Sequence, residues 1–436
     1  MTRRWQCVNS ARNDRFDRAV PVEESSGARK ELVTMHSTAA IEPTQERDRV
    51  EPVRSAKTRV VSVDVLRGLV MVLMALDHTR DYVHRSAISP TDLAETTPTL
   101  FFTRWITHFC APVFILLAGV SAGFVGGRSD DRGTLSRFLV VRGLWLIFLE
   151  FTVIAFAWRF HFNLRPMLLV VWAIGASMVL LGALVWLPRG VHFALAVLLC
   201  TTHNLFDSIA PEALGWAANL WSILHVSGRL TVGDASIAFV GYPLIPWVGV
   251  MSLGYLMADL YRRDARRRQR ILFYVGTGLL VAFAILRGFN LYGDPRPWQS
   301  QISSLYRFMA ILNVAKYPPS LSYLLVTLGP ALIFLAATES LRGLGIRFLL
   351  VFGRVPLFYY IVHIYLIHAI ALMLGAAQGF ALSEVAVSFF RLPDDYGVGL
   401  LWTYVVWVAV VAALYVPCRR WLRLKADRRH WVLRYL

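Results

Sequence analysis

Asp64, Arg67 and His78 stand inside one otherwise apolar run, Val63-Asp64-Val-Leu-Arg67-Gly68-Leu-Val-Met71-Val-Leu-Met74-Ala-Leu-Asp77-His78. On a helix, the eleven residues from Arg67 to His78 rise about 16 Å and end about 20° past three full turns. The two side chains therefore share one face, with Met71 and Met74 between them and Asp64 one turn below Arg67. A guanidinium at one end of such a stripe forks onto phosphate oxygens. A neutral imidazole at the other accepts and returns a proton, or acts as a nucleophile. Asp77 projects about 100° away and is a poor orienting partner for His78. A plainer reading pairs Arg67 with Asp64 as an anchor and leaves His78 at a helix end.

Further ionisable groups sit in apolar surroundings, where their cost makes function the first hypothesis. Arg354, Phe358, Ile361, Tyr365 and His368 fall on one helical face, a second arginine-to-histidine stripe, while His363 lies opposite Arg354. Glu150 is expected to pair with an arginine across the bundle or to stay protonated. Lys316, in Asn313-Val-Ala-Lys316-Tyr317-Pro318-Pro319, belongs to a turn and is placed to meet an anionic acceptor. Two prolines three apart, Pro243 and Pro246, are expected to kink a helix beside a cavity.

The elements that carry these groups follow from composition. Of 436 residues, 56% are hydrophobic and only 17% charged, and the mean hydropathy is +0.51. A soluble domain carries roughly 25% charge, so that class is excluded. Apolar runs of about 15–25 residues have the length a bilayer core demands, and in lipid helices satisfy their own amides. Ten spans are expected, near Val60–His78, Trp105–Val125, Phe138–Trp158, Pro166–Leu187, Val191–Leu205, Ile237–Leu260, Ile271–Leu286, Leu321–Ala336, Phe348–Ala377 and Val398–Pro417. The predicted fold is all-α, a polytopic membrane bundle spanning residues 60–417. Residues 1–59 carry 12 Lys/Arg and 9 Asp/Glu and read as a disordered cytoplasmic segment; Met35 is an alternative start. Residues 418–436 read as a basic cytoplasmic tail.

Charge fixes the parity. Arg262–Arg270 carries net +5 and Arg419–Leu436 net +6. Ten spans put both clusters on one side, which the positive-inside rule makes cytoplasmic, with both termini. Ala213–Val226 is accordingly expected to be an interfacial or re-entrant helix. The net charge of +17 lies in short loops facing anionic lipid, not nucleic acid. No GxxxxGK[ST], HExxH or CxxC occurs, so nucleotide hydrolysis and a metal site are not expected.

Asp64–His78 resembles the first-helix signature of the membrane acyltransferases called acyltransferase family 3: Arg or Lys, ten residues, then His. The chain is more closely similar to bacterial relatives of the heparan-α-glucosaminide N-acetyltransferase catalytic domain. That resemblance rests on Arg67-Gly68…Asp77-His78-Thr-Arg-Asp, Arg104-Trp105-Ile-Thr-His108-Phe-Cys-Ala-Pro112, Tyr242-Pro243-Leu-Ile-Pro246-Trp247-Val-Gly249, Asn313-Val-Ala-Lys316-Tyr317-Pro318-Pro319-Ser320 and Gly353-Arg354-Val-Pro356…Tyr360…His363…His368. It implies transfer of an acetyl or other acyl group from cytoplasmic acyl-CoA to an amine or hydroxyl of a sugar or glycolipid across the membrane. Arg67, with Asp64 and Arg354, would hold the coenzyme, and His78 would be the essential histidine. The animal member carries asparagine at the position of His78 and its active histidine further on, so His84 and His108 stay open as alternatives. Asp77, Glu150, Lys316 and His368 would support the site or meet the acceptor. The setting implied is a bacterial inner membrane, the partners lipid, acyl-CoA and a carbohydrate or glycolipid, with a homodimer also open. The rival class is a secondary transporter, which kinked helices and intramembrane charges also fit. The halves 60–205 and 237–417 do not repeat the Arg-to-His stripe, which weighs against it.

Overall fold

The computed structural model describes residues 60–85, 89–128, 131–161, 165–301, 303–386, 392–393 and 395–427. The expectations for residues 1–59 and for the end of the tail lie outside these. Helix α1 (Val61–Val83) is the axis of the bundle: 16 of its 23 residues are buried. This explains how it carries Asp64, Arg67, Asp77, Arg80 and Asp81, since its neighbours and not lipid cover those charges. Around it stand α2 (Pro98–Trp105), α3 (Cys110–Gly126), α4 (Arg132–Leu149), α5 (Val170–Leu184), α6 (Arg189–Thr201), α7 (Ala218–Leu224) and α8 (Leu244–Met257). The second half adds α9 (Ala265–Gly288), α10 (Ser304–Leu312), α11 (Leu321–Thr338), α12 (Leu344–Gly353), α13 (Pro356–Ala377) and α14 (Leu400–Asp427).

Among the described residues, seven helical stretches are long and apolar enough to cross a membrane: Pro98–Gly126, Arg132–Ala157, Leu244–Arg262, Ala265–Gly288, Leu321–Thr338, Pro356–Ala377 and Leu400–Lys425. The shorter apolar helices Val170–Leu184, Arg189–Thr201 and Leu344–Gly353 accompany them. The fold is thus a helical polytopic bundle. Its helices meet through glycine, as helices in lipid must when no hydrophobic force drives them together. A methyl on Gly68 of α1 would stand 2.0 Å from the Leu349 carbonyl oxygen, and one on Gly353 would stand 1.8 Å from that of Asp64. Helices α1 and α12 therefore touch backbone to backbone beside Arg67 and Arg354.

Two expectations are corrected. The run Phe348–Ala377 is two helices, because Val355 leaves helical geometry and Pro356 opens α13, the first-turn position proline prefers. Tyr242-Pro243 does not kink a helix: Pro243 precedes the first residue of α8, and Ala235–Val240 is a strand. That strand, β3, pairs parallel with β1 (Met167–Leu168) and antiparallel with β2 (Gly228–Val232), in the order β1-β3-β2. Gly233, at φ +56°, supplies the left-handed first residue of the β2–β3 hairpin turn. The apolar run of β3 continues directly into α8, which is why the two read as one span. Ala213–Val226 holds the short α7 after a 3-10 stretch. Past Pro417, α14 continues to Asp427.

Candidate active site

At the Arg67 end lies a cavity of about 370 Å³ whose lining includes Arg67, Arg142, Arg354 and Lys425 together with Met71, Met74 and Phe114 and, among the described residues, no carboxylate. Arg67 is set by three bonds: Nη1 donates to Asp64 Oδ1 at 2.9 Å and to the Gly353 carbonyl at 3.4 Å, and Nη2 donates to Ser121 Oγ at 2.9 Å. Asp64 Oδ2 lies 3.5 Å from Arg354 Nε. One carboxylate thus anchors two guanidiniums that arrive on different helices. Four cations over an apolar wall suit an anionic group joined to an apolar arm. On the coenzyme reading that the resemblance implies, Arg67→Ala is expected to weaken binding of CoA by about 1.5–3 kcal/mol, the value of a charged hydrogen bond. Arg67→Lys, which keeps charge but loses the fork, should lose less. Calorimetric titration with CoA measures both, and unchanged affinity in Arg67→Ala would remove Arg67 from the site.

At the His78 end a larger cavity, about 660 Å³, is lined by His78, Asp77, Asp81, Arg104, His108, Lys316 and the rings of Trp158, Tyr242, Tyr317 and Tyr360. Phe239 and Gly241, at the end of β3, help close it, which is the use of the small sheet. Val170 and Tyr360 line both cavities, so the two adjoin there. The Tyr360 ring is 6.2 Å from that of His78.

The histidine at this junction has a defined proton arrangement. His363 Nδ1 lies 2.9 Å from the Tyr359 carbonyl oxygen, and a carbonyl only accepts, so His363 carries its proton on Nδ1. Its Nε2 is then an acceptor, 2.7 Å from His78 Nδ1. His78 must therefore donate from Nδ1, which leaves its Nε2 with a free lone pair. This assignment follows from the hydrogen-bond network. The two rings are near-parallel, 14° apart with centres 4.9 Å apart, and Trp158 meets the His78 ring edge-on at 4.9 Å. A neutral imidazole with a fixed tautomer is what a proton acceptor needs.

The remaining candidates divide. Asp77 turns away from His78, as its position on the helix requires: Arg104 Nη1 donates to both its oxygens at 2.8 and 2.9 Å, and Arg80 stands 3.0 Å away. It holds the cavity wall together. His108 is buried, its ring 5.6 Å from that of Tyr323, and lines the same cavity as His78. His84 lines neither cavity; it ends α1, its amide donating to the Arg80 carbonyl. Lys316 is buried in the cavity, its ammonium 5.1 Å over the Tyr317 ring. Burial raises the Tyr317 pKa, but Lys316 and Arg104 more than reverse that and leave the phenol below its ordinary value. The Tyr242 hydroxyl lies 3.5 Å from it.

Two placements depart from expectation. Among the described residues Glu150 meets no arginine, so the pairing is overturned while the protonated alternative stands; its carboxyl group accepts from the Trp172 amide at 3.1 Å, in the first turn of α5. A helix N-terminus offers free amides, and one of them takes the place expected of a guanidinium donor. His368 does not reach the cavity with Arg354: Nδ1 lies 2.9 Å from the Ala157 carbonyl and the ring stacks on Tyr82 and Phe160 at 4.6 and 4.3 Å. The histidine of α13 that meets the site is His363. The break at Val355 separates Arg354 from α13, so a face counted from that arginine does not carry along the helix.

Residues 59–288 match the family described as heparan-alpha-glucosaminide N-acetyltransferase, catalytic. The match covers just over half of the chain. The chain belongs to this family. No curated protein matches it. The matched segment contains Arg67, His78, Arg104, His108 and Arg142 and stops short of Lys316, Arg354 and His363. The family places the chain among membrane acetyltransferases; the second half of the site rests on geometry alone.

Proposed function

We propose that the protein transfers an acetyl group from acetyl-CoA, held in the Arg67 cavity, to an amine or hydroxyl of a sugar or glycolipid held in the His78 cavity. The observation that carries this reading is the junction at Val170 and Tyr360, where two cavities of opposite character meet beside an imidazole with a free Nε2. The cations of the smaller cavity suit the coenzyme's phosphates. Its methionine-lined wall suits the pantetheine arm, and the roughly 16 Å from Arg67 to His78 is of the order of that arm's length. Aromatic faces with interspersed hydrogen-bonding groups in the larger cavity suit a carbohydrate.

The chemistry then closes without a further reactant. The acceptor's nitrogen or oxygen attacks the thioester carbon while His78 Nε2 takes its proton; the carbon–sulfur bond breaks, and the proton passes to the departing thiolate. The imidazole ends neutral, as it began. Because donor and acceptor approach from different cavities, both are bound together and transfer is direct. The Arg262–Arg270 cluster belongs to the Arg67 end, so that end faces the cytoplasm and both termini lie there, in a bacterial inner membrane.

The test is release of free thiol from acetyl-CoA by the purified protein, with and without an amino sugar. Acceptor-dependent release with intersecting initial-rate lines is expected. Parallel lines would make Nε2 an acyl carrier, and no release with any amino or hydroxyl acceptor would overturn the reading.

A further inference from the structure

Outside both cavities, at the His78 end of the bundle, the chain gathers His203, Asp207 and His225, each offering a donor atom within 4.8 Å of the others. His203 and Asp207 follow the end of α6, and His225 follows the end of α7. The two histidines are 1% and 0% exposed. None of their four ring nitrogens has a hydrogen-bond partner, nor has Asp207 Oδ1. His225 Nε2 does approach Asp207 Oδ1 to 3.1 Å, but off the line a hydrogen bond needs. Buried polar atoms are almost always hydrogen-bonded, and two buried imidazoles without a hydrogen bond are costly. The other carboxylate oxygen is held: Asn204 Nδ2 donates to Asp207 Oδ2 at 2.8 Å. That leaves Oδ1 turned to the two rings.

We propose that His203, Asp207 and His225 form a zinc site. Two imidazoles and a carboxylate are a ligand set zinc accepts, with the fourth tetrahedral position left for water. Tetrahedral ligands about 2.0–2.1 Å from zinc stand about 3.4 Å apart, so small rotations of the side chains close the present cluster onto an ion. The cation would satisfy one nitrogen of each ring and Oδ1 together. It would also clip the end of α6 to the end of α7, beside the bond by which Trp221 Nε1 donates to the Ile209 carbonyl oxygen at 2.9 Å. The clip reaches the larger cavity: Asn204 Oδ1 accepts from the Leu321 amide at 2.9 Å. Ser320 beside it donates to Asp294 Oδ2, which also accepts from the Ala315 amide, at 2.9 and 2.8 Å. Ala315 precedes Lys316 in the cavity wall. Asn204 thus orients the carboxylate toward the ion and ties the site to the loop that carries Lys316.

The test measures metal in the protein purified without a polyhistidine tag, by plasma mass spectrometry after zinc loading and dialysis, with cobalt substitution as a spectroscopic check. About one zinc per chain is expected, and the visible absorption of a tetrahedral site with cobalt. His203→Gln combined with His225→Gln should lose both, and chelation should lower the melting temperature of the wild type but not of that variant. Should the double variant fail to fold, Asn204→Ala keeps all three ligands and should bind zinc about 10–100-fold more weakly. A wild type that retains no metal, or a double variant that retains as much as the wild type, would overturn the proposal, as would unchanged affinity in Asn204→Ala.

Discussion

His78→Ala is expected to lower acetyl transfer by about 10²–10⁴-fold, the usual contribution of a positioned acid–base group. CoA affinity should hardly change, because on the proposed reading the donor is held by Arg67, Arg142, Arg354 and Lys425 in the other cavity. His363 acts one step removed. It lines neither cavity itself, yet its Nε2 keeps the proton of His78 on Nδ1. His363→Phe is therefore expected to cost about 10²-fold through misplacement of the base. The rate should fall toward low pH as Nε2 takes up a proton and ceases to be a base; in His363→Phe the midpoint of that limb should move, since the ring has lost its hydrogen-bond acceptor. Rate measurements across pH on the two variants and the wild type check this. An unshifted profile in His363→Phe would reduce His363 to packing. Activity retained in His78→Ala but lost in His108→Ala would move the base to the other histidine of the cavity.

Gly68→Ala and Gly353→Ala should be the most damaging substitutions away from the chemistry. Each added methyl would meet a carbonyl oxygen at 2.0 or 1.8 Å, and backbone cannot swing aside as a side chain can. Helix α12 must move off α1. Overpacking of this kind costs about 1–3 kcal/mol and sometimes more; with backbone as the obstacle the upper end applies. The same movement separates Arg67 from the Gly353 carbonyl and Arg354 from Asp64, so CoA binding should fall along with the melting temperature. Gly278→Ala is the control. Its methyl would meet nothing within 4 Å, and alanine favours helix over glycine by about 1 kcal/mol, so stability should hold or rise slightly. Equal melting temperatures for Gly68→Ala and Gly278→Ala would show that α1 and α12 are not in backbone contact.

What the sequence disclosed was whatever lies along one element. The spacing of Arg67, Met71, Met74 and His78 needs only the helical period, and the structure carries that stripe from one cavity to the next. Partners from distant segments were out of reach. His363 lies 285 residues from His78, and its helix was phased from Arg354 across a break that hydropathy does not register, which pointed to His368. The strand Ala235–Val240 is apolar and runs straight into α8, so no change of composition marks its end. For Glu150 the sequence offers an arginine or a proton, because side chains are visible in a sequence and free amides at a helix N-terminus are not. The cluster of His203, Asp207 and His225 escaped a search for short metal motifs because the loop separating its members hides their convergence.

The central claim is that an acyl group crosses from one cavity to the other at His78, and sided vesicles test it most directly. Proteoliposomes of uniform orientation would receive radiolabelled acetyl-CoA on the side of the Arg262–Arg270 loop and a membrane-impermeant amino sugar on the other. The account predicts labelled N-acetyl sugar on the far side, with free CoA retained on the near side, and neither product in His78→Ala. Label that appears only when donor and acceptor share one side, or intact acetyl-CoA recovered on the far side without thiol release, would contradict it.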